Sequence, residues 1–288
     1  MQVVILAIVQ GLAELLPVSS SAHVVVAEKL MGLDPSSPEM TLLLVMLHTG
    51  TMFAVIVYFW KQWKQSFFSS AHTFWRVAMR LLVATALTFI VGEGLMKAIG
   101  KGFGHGQMIE PEQFFGRLDL IAPALLAAGI LILIAGWKSN SSGEGEAFEQ
   151  DGTPRPCMKQ AAWIGVVQGL CLPFRGFSRS GATISTGLLM GVARRQAEAF
   201  SFALAVILTP PVVAREALRL VHMRHLDGSA ALGSAVAPGV LGMLMAFFAG
   251  LVALKWLSGW LEHGRWYLFG LYCLGAGVAV AVLHHAGY

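Results

Sequence analysis

Two short stretches of this chain nearly repeat each other, and both put ionisable and hydroxyl side chains into apolar surroundings. The first runs Val9-Gln10-Gly11-Leu12-Ala13-Glu14-Leu15-Leu16-Pro17-Val18-Ser19-Ser20-Ser21-Ala22-His23. The second runs Val167-Gln168-Gly169-Leu170-Cys171-Leu172-Pro173-Phe174-Arg175-Gly176-Phe177-Ser178-Arg179-Ser180-Gly181-Ala182-Thr183. Each leads from an apolar helix with a Val-Gln-Gly-Leu core, through a proline, into a serine-rich turn and a second apolar helix. Neither half of residues 2–32 or 160–193 reaches the roughly 20 residues that a membrane span needs. Irregular backbone at membrane depth survives only where protein or a water-filled cavity covers it. Both regions are therefore expected to be re-entrant helical hairpins, and their charges to mark a site of function.

The rest of the chain supports a membrane setting. Of its 288 residues 56% are hydrophobic and only 12% are charged, about half the charged share of a soluble domain. Six runs are long and apolar enough to span: 40–60, 77–99, 118–137, 198–221, 236–257 and 266–286. The order is hairpin, three spans, loop, hairpin, three spans. This predicts an all-α polytopic membrane protein, one membrane domain over 1–288, with repeats at 1–137 and 160–288. The polar loop 138–159 joins them. Leu47-His48-Thr49 and Ile207-Leu208-Thr209 take matching places in the first span of each half. An odd number of spans per half makes the two halves insert in opposite senses, an inverted-topology repeat.

Basic residues set the orientation. Lys61, Lys64, Arg76, Arg80, Lys138, Arg155, Lys159, Arg194, Arg195, Lys255 and Arg265 fall on one side; Lys29, Lys97, Lys101, Arg117, Arg219 and Arg224 fall on the other. The richer side is expected to be cytoplasmic, which opens the first hairpin and both termini outward. The start of the chain lacks a basic n-region, and Gln10 and Glu14 interrupt its apolar stretch, so a cleaved signal is not expected. The net charge of +4 comes with no basic helix or aromatic-basic patch, so no nucleic-acid partner is expected. Cys157, Cys171 and Cys273 form no metal-spaced pair and read as small apolar filler. Tyr58, Trp60, Trp137, Trp256, Trp260 and Trp266 read as interface anchors. His105 reads as a solvated loop residue, His48 as a polar residue lining a pocket, and Arg215 as a structural or interfacial charge. Arg175 either helps to bind an anion or instead pairs with a carbonyl or snorkels.

Gln10 and Glu14 lie four apart and share a helix face. Their oxygens suit Mg²⁺ or Ca²⁺, hard ions that keep water and bind phosphate oxygens; Glu14 is equally placed to act as a base. Ser19, Ser20 and Ser21 precede a helix, where hydroxyls, freed N–H groups and the positive helix end make an anion site. As a histidine, His23 is the residue type that can move protons near neutral pH. A serine three residues before a histidine lets nucleophile and base, or hydroxyl and general acid, meet. In the second hairpin, glycines allow close backbone approach. Arg179 brings a fork that matches phosphate oxygens, and Ser178, Ser180 and Thr183 add donors.

Gln10-x-x-x-Glu14 followed by Pro17-Val18-Ser19-Ser20-Ser21-Ala22-His23 resembles the (Glu/Gln)-x-x-x-Glu…Pro-Val-Ser-Ser-x-x-His motif of the bacterial undecaprenyl-diphosphatase, or bacitracin-resistance, family. Gly176-Phe177-Ser178-Arg179-Ser180-Gly181-Ala182-Thr183 resembles that family's Pro-Gly-x-Ser-Arg-Ser-x-x-Thr motif. Two departures stand out: Gln10 fills the first acidic position, and Arg175 replaces the proline before the glycine.

The resemblance implies hydrolysis of undecaprenyl diphosphate to undecaprenyl phosphate and inorganic phosphate, which renews the lipid carrier of cell-wall synthesis. It also implies a divalent cation and a site facing the periplasm of the bacterial inner membrane. The family's functional positions fall on Gln10, Glu14, Ser19, Ser20, His23, Ser178, Arg179, Ser180 and Thr183. On this reading Glu14 and Gln10 hold the metal; Ser19, Ser178, Ser180 and Thr183 hold the phosphates; Glu14, Ser20, His23 and Arg179 are catalytic. Ser20 attacks with His23 shuttling the proton, or water attacks with Glu14 or His23 as base. A homodimer is compatible with the sequence. Inverted repeats with broken helices also occur in transporters, so a carrier of prenyl phosphate is the alternative.

Overall fold

The computed structural model describes residues 1–33, 38–103, 118–141, 156–174, 176–227 and 231–286. His105, Arg175 and most of the connecting loop lie outside the described residues, as do the side chains of Arg215 and Glu216. The described residues are helical, with no strand among them. The helices are α1 (Gln2–Leu15), α2 (Ser20–Leu30), α3 (Pro38–Ser66), α4 (Ala71–Phe103), α5 (Leu118–Ser141), α6 (Met158–Cys171), α7 (Arg179–Leu189), α8 (Arg194–Asp227), α9 (Ala231–Glu262) and α10 (Trp266–His285).

Among the described residues, five helices are long and apolar enough to cross a membrane: α3, α4, α5, α9 and α10. The expected span 198–221 falls within α8, several of whose side chains between 212 and 220 lie outside the described residues. α8 remains helical through Pro210 and Pro211. The two short pairs, α1 with α2 and α6 with α7, occupy the regions expected to form hairpins.

The chain divides into two compact units. The first holds Met1–Leu16, Ser20–Trp60 and Ala205–Leu257. Within it α1 lies on α9 so closely that a Cβ at Gly11 would stand 2.6 Å from Ala249 Cβ and 2.8 Å from the Ala246 carbonyl. Leu6, Ala7, Val24, Met40, Leu43, Leu47 and Ala246 form its core.

The second unit holds Pro17–Ser19, Lys61–Leu204 and Ser258–Tyr288. Here α6 lies on α4, and a Cβ at Gly169 would stand 2.8 Å from both the Thr88 carbonyl and Val91 Cβ. The Thr88 hydroxyl seals that contact by donating to the carbonyl of Gly165, 3.0 Å away. α5 and α10 pack through Gly129 and Gly270, with a Cβ on either glycine 2.9 Å from the other's carbonyl.

One contact is thus made twice. Gly11 and Gly169 are the glycines of the two Val-Gln-Gly-Leu stretches. Each presses against the second long helix of the opposite half of the chain, α9 for Gly11 and α4 for Gly169. Thr49 and Thr209 repeat the pattern at smaller scale: each hydroxyl bonds the carbonyl four residues back, at 2.8 Å on Val45 and 2.7 Å on Ala205. Substituting Gly169→Leu forces side-chain atoms into the α4 backbone, which has no rotamer to yield. Overpacking of this kind costs about 1–3 kcal/mol or more. The variant is expected to lose several degrees of thermal midpoint in detergent, read by fluorescence; an unchanged midpoint would argue against the close α4–α6 contact.

One expectation of side-chain placement needs revision. Trp266, read as an interface anchor, is 1% exposed and its indole N–H donates to Ser185 Oγ at 3.0 Å. Adjacent glycines and small residues let α10 approach close enough to enclose the ring. Trp60 and Trp137 are exposed as anchors should be. Cys273, read as filler, is fully buried and its thiol donates to the Pro17 carbonyl at 3.3 Å, tying α10 to the turn Pro17–Ser19.

Candidate active site

α1 ends at Leu15 because Leu16 is already extended and Pro17 cannot continue the hydrogen-bond ladder. The chain reverses through Pro17–Ser19 and enters α2 at Ser20. Ser19 makes the reversal with φ at +67°, the one left-handed backbone among the described non-glycine residues. L-residues avoid this region at a cost of about 1–2 kcal/mol, and such strain gathers at functional turns. Here it delivers the next residue, Ser20, back over the end of α1. The Ser20 hydroxyl donates to Glu14 Oε2 at 2.5 Å.

The same carboxylate oxygen takes the side-chain N–H of Gln10, 3.1 Å away. This is the i to i+4 pair that the sequence places on one face. A further group comes from α3: His48 Nε2 lies 3.8 Å from Glu14 Oε2. The other ring nitrogen of His48, Nδ1, bonds the Leu44 carbonyl at 2.8 Å. Gln10 is buried and Glu14 largely so, its side chain 12% exposed against 37% for His48. His23 sits three residues along α2 from Ser20 and is partly buried.

The second hairpin carries a different set of groups. It keeps the glutamine, as Gln168, but has Leu172 where the first hairpin has Glu14. Its turn uses Gly176 at φ +112°, where a Cβ would also meet the Ile121 carbonyl at 2.6 Å, so only glycine fits. Ser178 then caps α7, its hydroxyl accepting the Gly181 N–H at 3.1 Å. Ser180 Oγ lies 3.5 Å from Ser178 Oγ. Arg179 is the first residue of α7 and is partly exposed, while Ser178, Ser180 and Thr183 are buried. A guanidinium at the N-terminal end of a helix adds a full positive charge to the positive end of the helix dipole.

Thr183 is placed for support. Its hydroxyl lies 2.8 Å from the Arg179 carbonyl and 2.5 Å from Ser201 Oγ, and the residue is 1% exposed. It fastens the first turn of α7 to α8.

The contacts that the sequence did not reveal are those from other helices. Ser201 holds Thr183, Cys273 holds the Pro17 turn and His48 faces Glu14. The sequence marked His48 as a polar residue lining a pocket and as part of the Leu47-His48-Thr49 match between the halves, but not as a neighbour of Glu14.

The whole chain has the similarity that its motifs suggest. Residues 3–279 match the model of the family described as bacitracin resistance protein BacA. The chain belongs to this family. It is 55% identical to undecaprenyl-diphosphatase 2 of Acinetobacter baylyi, an alignment covering 98% of this chain and 97% of that protein. It is 35% identical to the undecaprenyl-diphosphatase of Desulfosudis oleivorans over 94% of each chain. It is 31% identical to that of Korarchaeum cryptofilum over 98% of each.

Proposed function

We propose that this protein is a multi-pass membrane phosphatase that hydrolyses undecaprenyl diphosphate to undecaprenyl phosphate and inorganic phosphate, returning the lipid carrier to cell-wall synthesis. Family membership from residue 3 to residue 279 supports the activity, and the observation that carries the chemistry is the Ser20 hydroxyl donating to Glu14 Oε2. We infer that the enzyme lies in the bacterial inner membrane with its site open to the periplasm, as the distribution of basic residues favours. The paired Gly11 and Gly169 contacts support an inverted repeat of two re-entrant hairpins and six spans, with α8 as the sixth.

On this reading both hairpins serve one diphosphate. Arg179, the Ser178 and Ser180 hydroxyls and the first N–H groups of α7 hold the phosphates and take up charge as the transition state forms. Ser19 contributes a hydroxyl from the other turn, and Thr183 keeps the α7 turn in shape. Ser20 Oγ attacks the terminal phosphorus as its proton passes to Glu14. The bond from that phosphorus to the bridging oxygen breaks, and undecaprenyl phosphate leaves. Water then cleaves the phosphoserine, giving its proton to His23, while Glu14 returns its proton to Ser20 Oγ; inorganic phosphate leaves and Ser20 is restored.

The donor set suits a hard divalent cation such as Mg²⁺ or Ca²⁺. Glu14 and the carbonyl oxygen of Gln10 would hold it, with phosphate oxygens and water filling the other positions. No cluster of three or more His, Cys, Asp or Glu ligands occurs among the described residues, so the substrate's own oxygens would complete the shell. When bound, the cation neutralises phosphate charge.

The test is phosphate release from farnesyl diphosphate by purified protein in detergent, with and without chelator, followed by acid quench and search for phosphoserine at Ser20. Release that stops with chelator, together with a phosphoserine peptide in single turnover, is the expected result. Release without any phosphoserine at early times would shift the attack to water. Lipid movement in liposomes with no phosphate release would replace the phosphatase by a carrier.

A further inference from the structure

We propose that His48 is a protein ligand of the divalent cation, binding it through Nε2 beside Glu14. The inference rests on the cation reading above and adds a nitrogen donor from α3 to what was an all-oxygen set.

The tautomer comes first. Nδ1 of His48 is 2.8 Å from the Leu44 carbonyl oxygen. A carbonyl only accepts, so the proton sits on Nδ1. In the neutral ring Nε2 then carries a lone pair, and it faces Glu14 Oε2 across 3.8 Å. That separation is too long for a hydrogen bond. It suits two ligands of one ion: donors that each stand about 2.1 Å from a shared cation lie roughly 3–4 Å apart. Anchoring the second ring nitrogen on a backbone carbonyl is what metal-binding histidines do, because it fixes both the tautomer and the ring plane.

Access agrees with this geometry. The His48 side chain is 37% exposed and Glu14 12% exposed, so an ion carrying water or phosphate can reach the ring. The second half of the chain shows that packing does not require the pair. Leu208 stands where His48 does, and Leu172 stands where Glu14 does. Imidazole and carboxylate are present together in the first half and replaced together in the second, as expected of two groups with one task.

An imidazole ligand changes the ion that the site prefers. All-oxygen sites suit Mg²⁺ and Ca²⁺, while imidazole raises the affinity for Mn²⁺, Co²⁺ and Zn²⁺. Water and phosphate oxygens take the remaining positions.

The experiment uses Mn²⁺ alone with the purified full-length protein in detergent. Free Mn²⁺ is counted by its electron paramagnetic resonance signal, and directly bound nitrogen is read by electron spin-echo modulation. The wild-type protein is expected to bind Mn²⁺ with a ¹⁴N coupling. His48→Gln should erase the coupling and weaken Mn²⁺ by about 10-fold or more. Ca²⁺, followed by competition, should weaken by less than about 3-fold in the same variant, which also shows that it is folded. Glu14→Gln should weaken both ions, and His23→Gln should keep the coupling. Bound Mn²⁺ without nitrogen coupling in the wild type, or a coupling that survives His48→Gln, would overturn the assignment and leave His48 as an ion-pair partner of Glu14. No Mn²⁺ binding to the wild type would overturn the cation reading itself.

Discussion

Arg179→Ala is expected to lower kcat for phosphate release from farnesyl diphosphate by about 10³-fold while the protein still elutes and melts like the wild type. One donor aimed at developing charge in a site sheltered from water is worth about 10²–10³ in rate, and Arg179 contributes a charged, two-pronged one. Its place explains the size of the effect. Gly176 turns the chain where no other residue fits, Ser178 caps the helix, and Thr183 bonds the Arg179 carbonyl and Ser201. The guanidinium therefore begins from a fixed backbone. Arg179→Lys is expected to recover little, because an ammonium keeps the charge and loses the fork. Turnover in Arg179→Ala within about 3-fold of the wild type would remove the second hairpin from the chemistry, since an effect that small is far below what a phosphate-binding arginine contributes.

Glu14→Gln is expected to be nearly as damaging, with phosphate release down by about 10²–10⁴-fold, the range for a lost general base. The substitution keeps the shape and an oxygen that accepts the Ser20 hydroxyl, so the turn should persist. It removes the charge that takes the Ser20 proton and holds a cation. Gln10→Ala should cost much less. Gln10 gives Glu14 one hydrogen bond at 3.1 Å, and Ser20 still reaches the same oxygen. Steady-state kinetics on the two variants separate these roles. Equal losses would mean that Glu14 serves only as the acceptor of a structural network.

The sequence was informative where physics is local. Pro17 ends α1, Ser178 caps α7, and the first short helix pair falls within 2–32 while the second starts two residues before the expected 160–193, because a chain too short to span must break where its proline and serines are. The long apolar runs predict α3, α4, α5, α9 and α10 for the same reason. The i to i+4 contact of Gln10 with Glu14 is a property of the helix alone. What the sequence hid depends on which helix lies beside which. Ser20 is spaced to meet His23, yet its hydroxyl donates to Glu14 across the turn, because Ser19 takes a left-handed backbone that no residue preference predicts. His48 is thirty-four positions from Glu14 in the chain, and only the packing of α3 brings it to the carboxylate. Trp266 belongs to an aromatic class common at membrane interfaces, but the close fit of α10 to α5 and the Ser185 hydroxyl draw it inside.

The central proposal, carried by the two family motifs, is that residues 14–23 and 176–183 act on the same diphosphate. A farnesyl bisphosphonate that resists hydrolysis and carries a photoreactive group on its terminal phosphonate tests it most directly. After irradiation of the wild-type protein in detergent, modified peptides are mapped by mass spectrometry. Labelling is expected on residues 14–23 and on residues 176–183, and excess unlabelled farnesyl diphosphate should suppress both together. Labelling of one hairpin alone, with the other untouched at saturation, would contradict the claim.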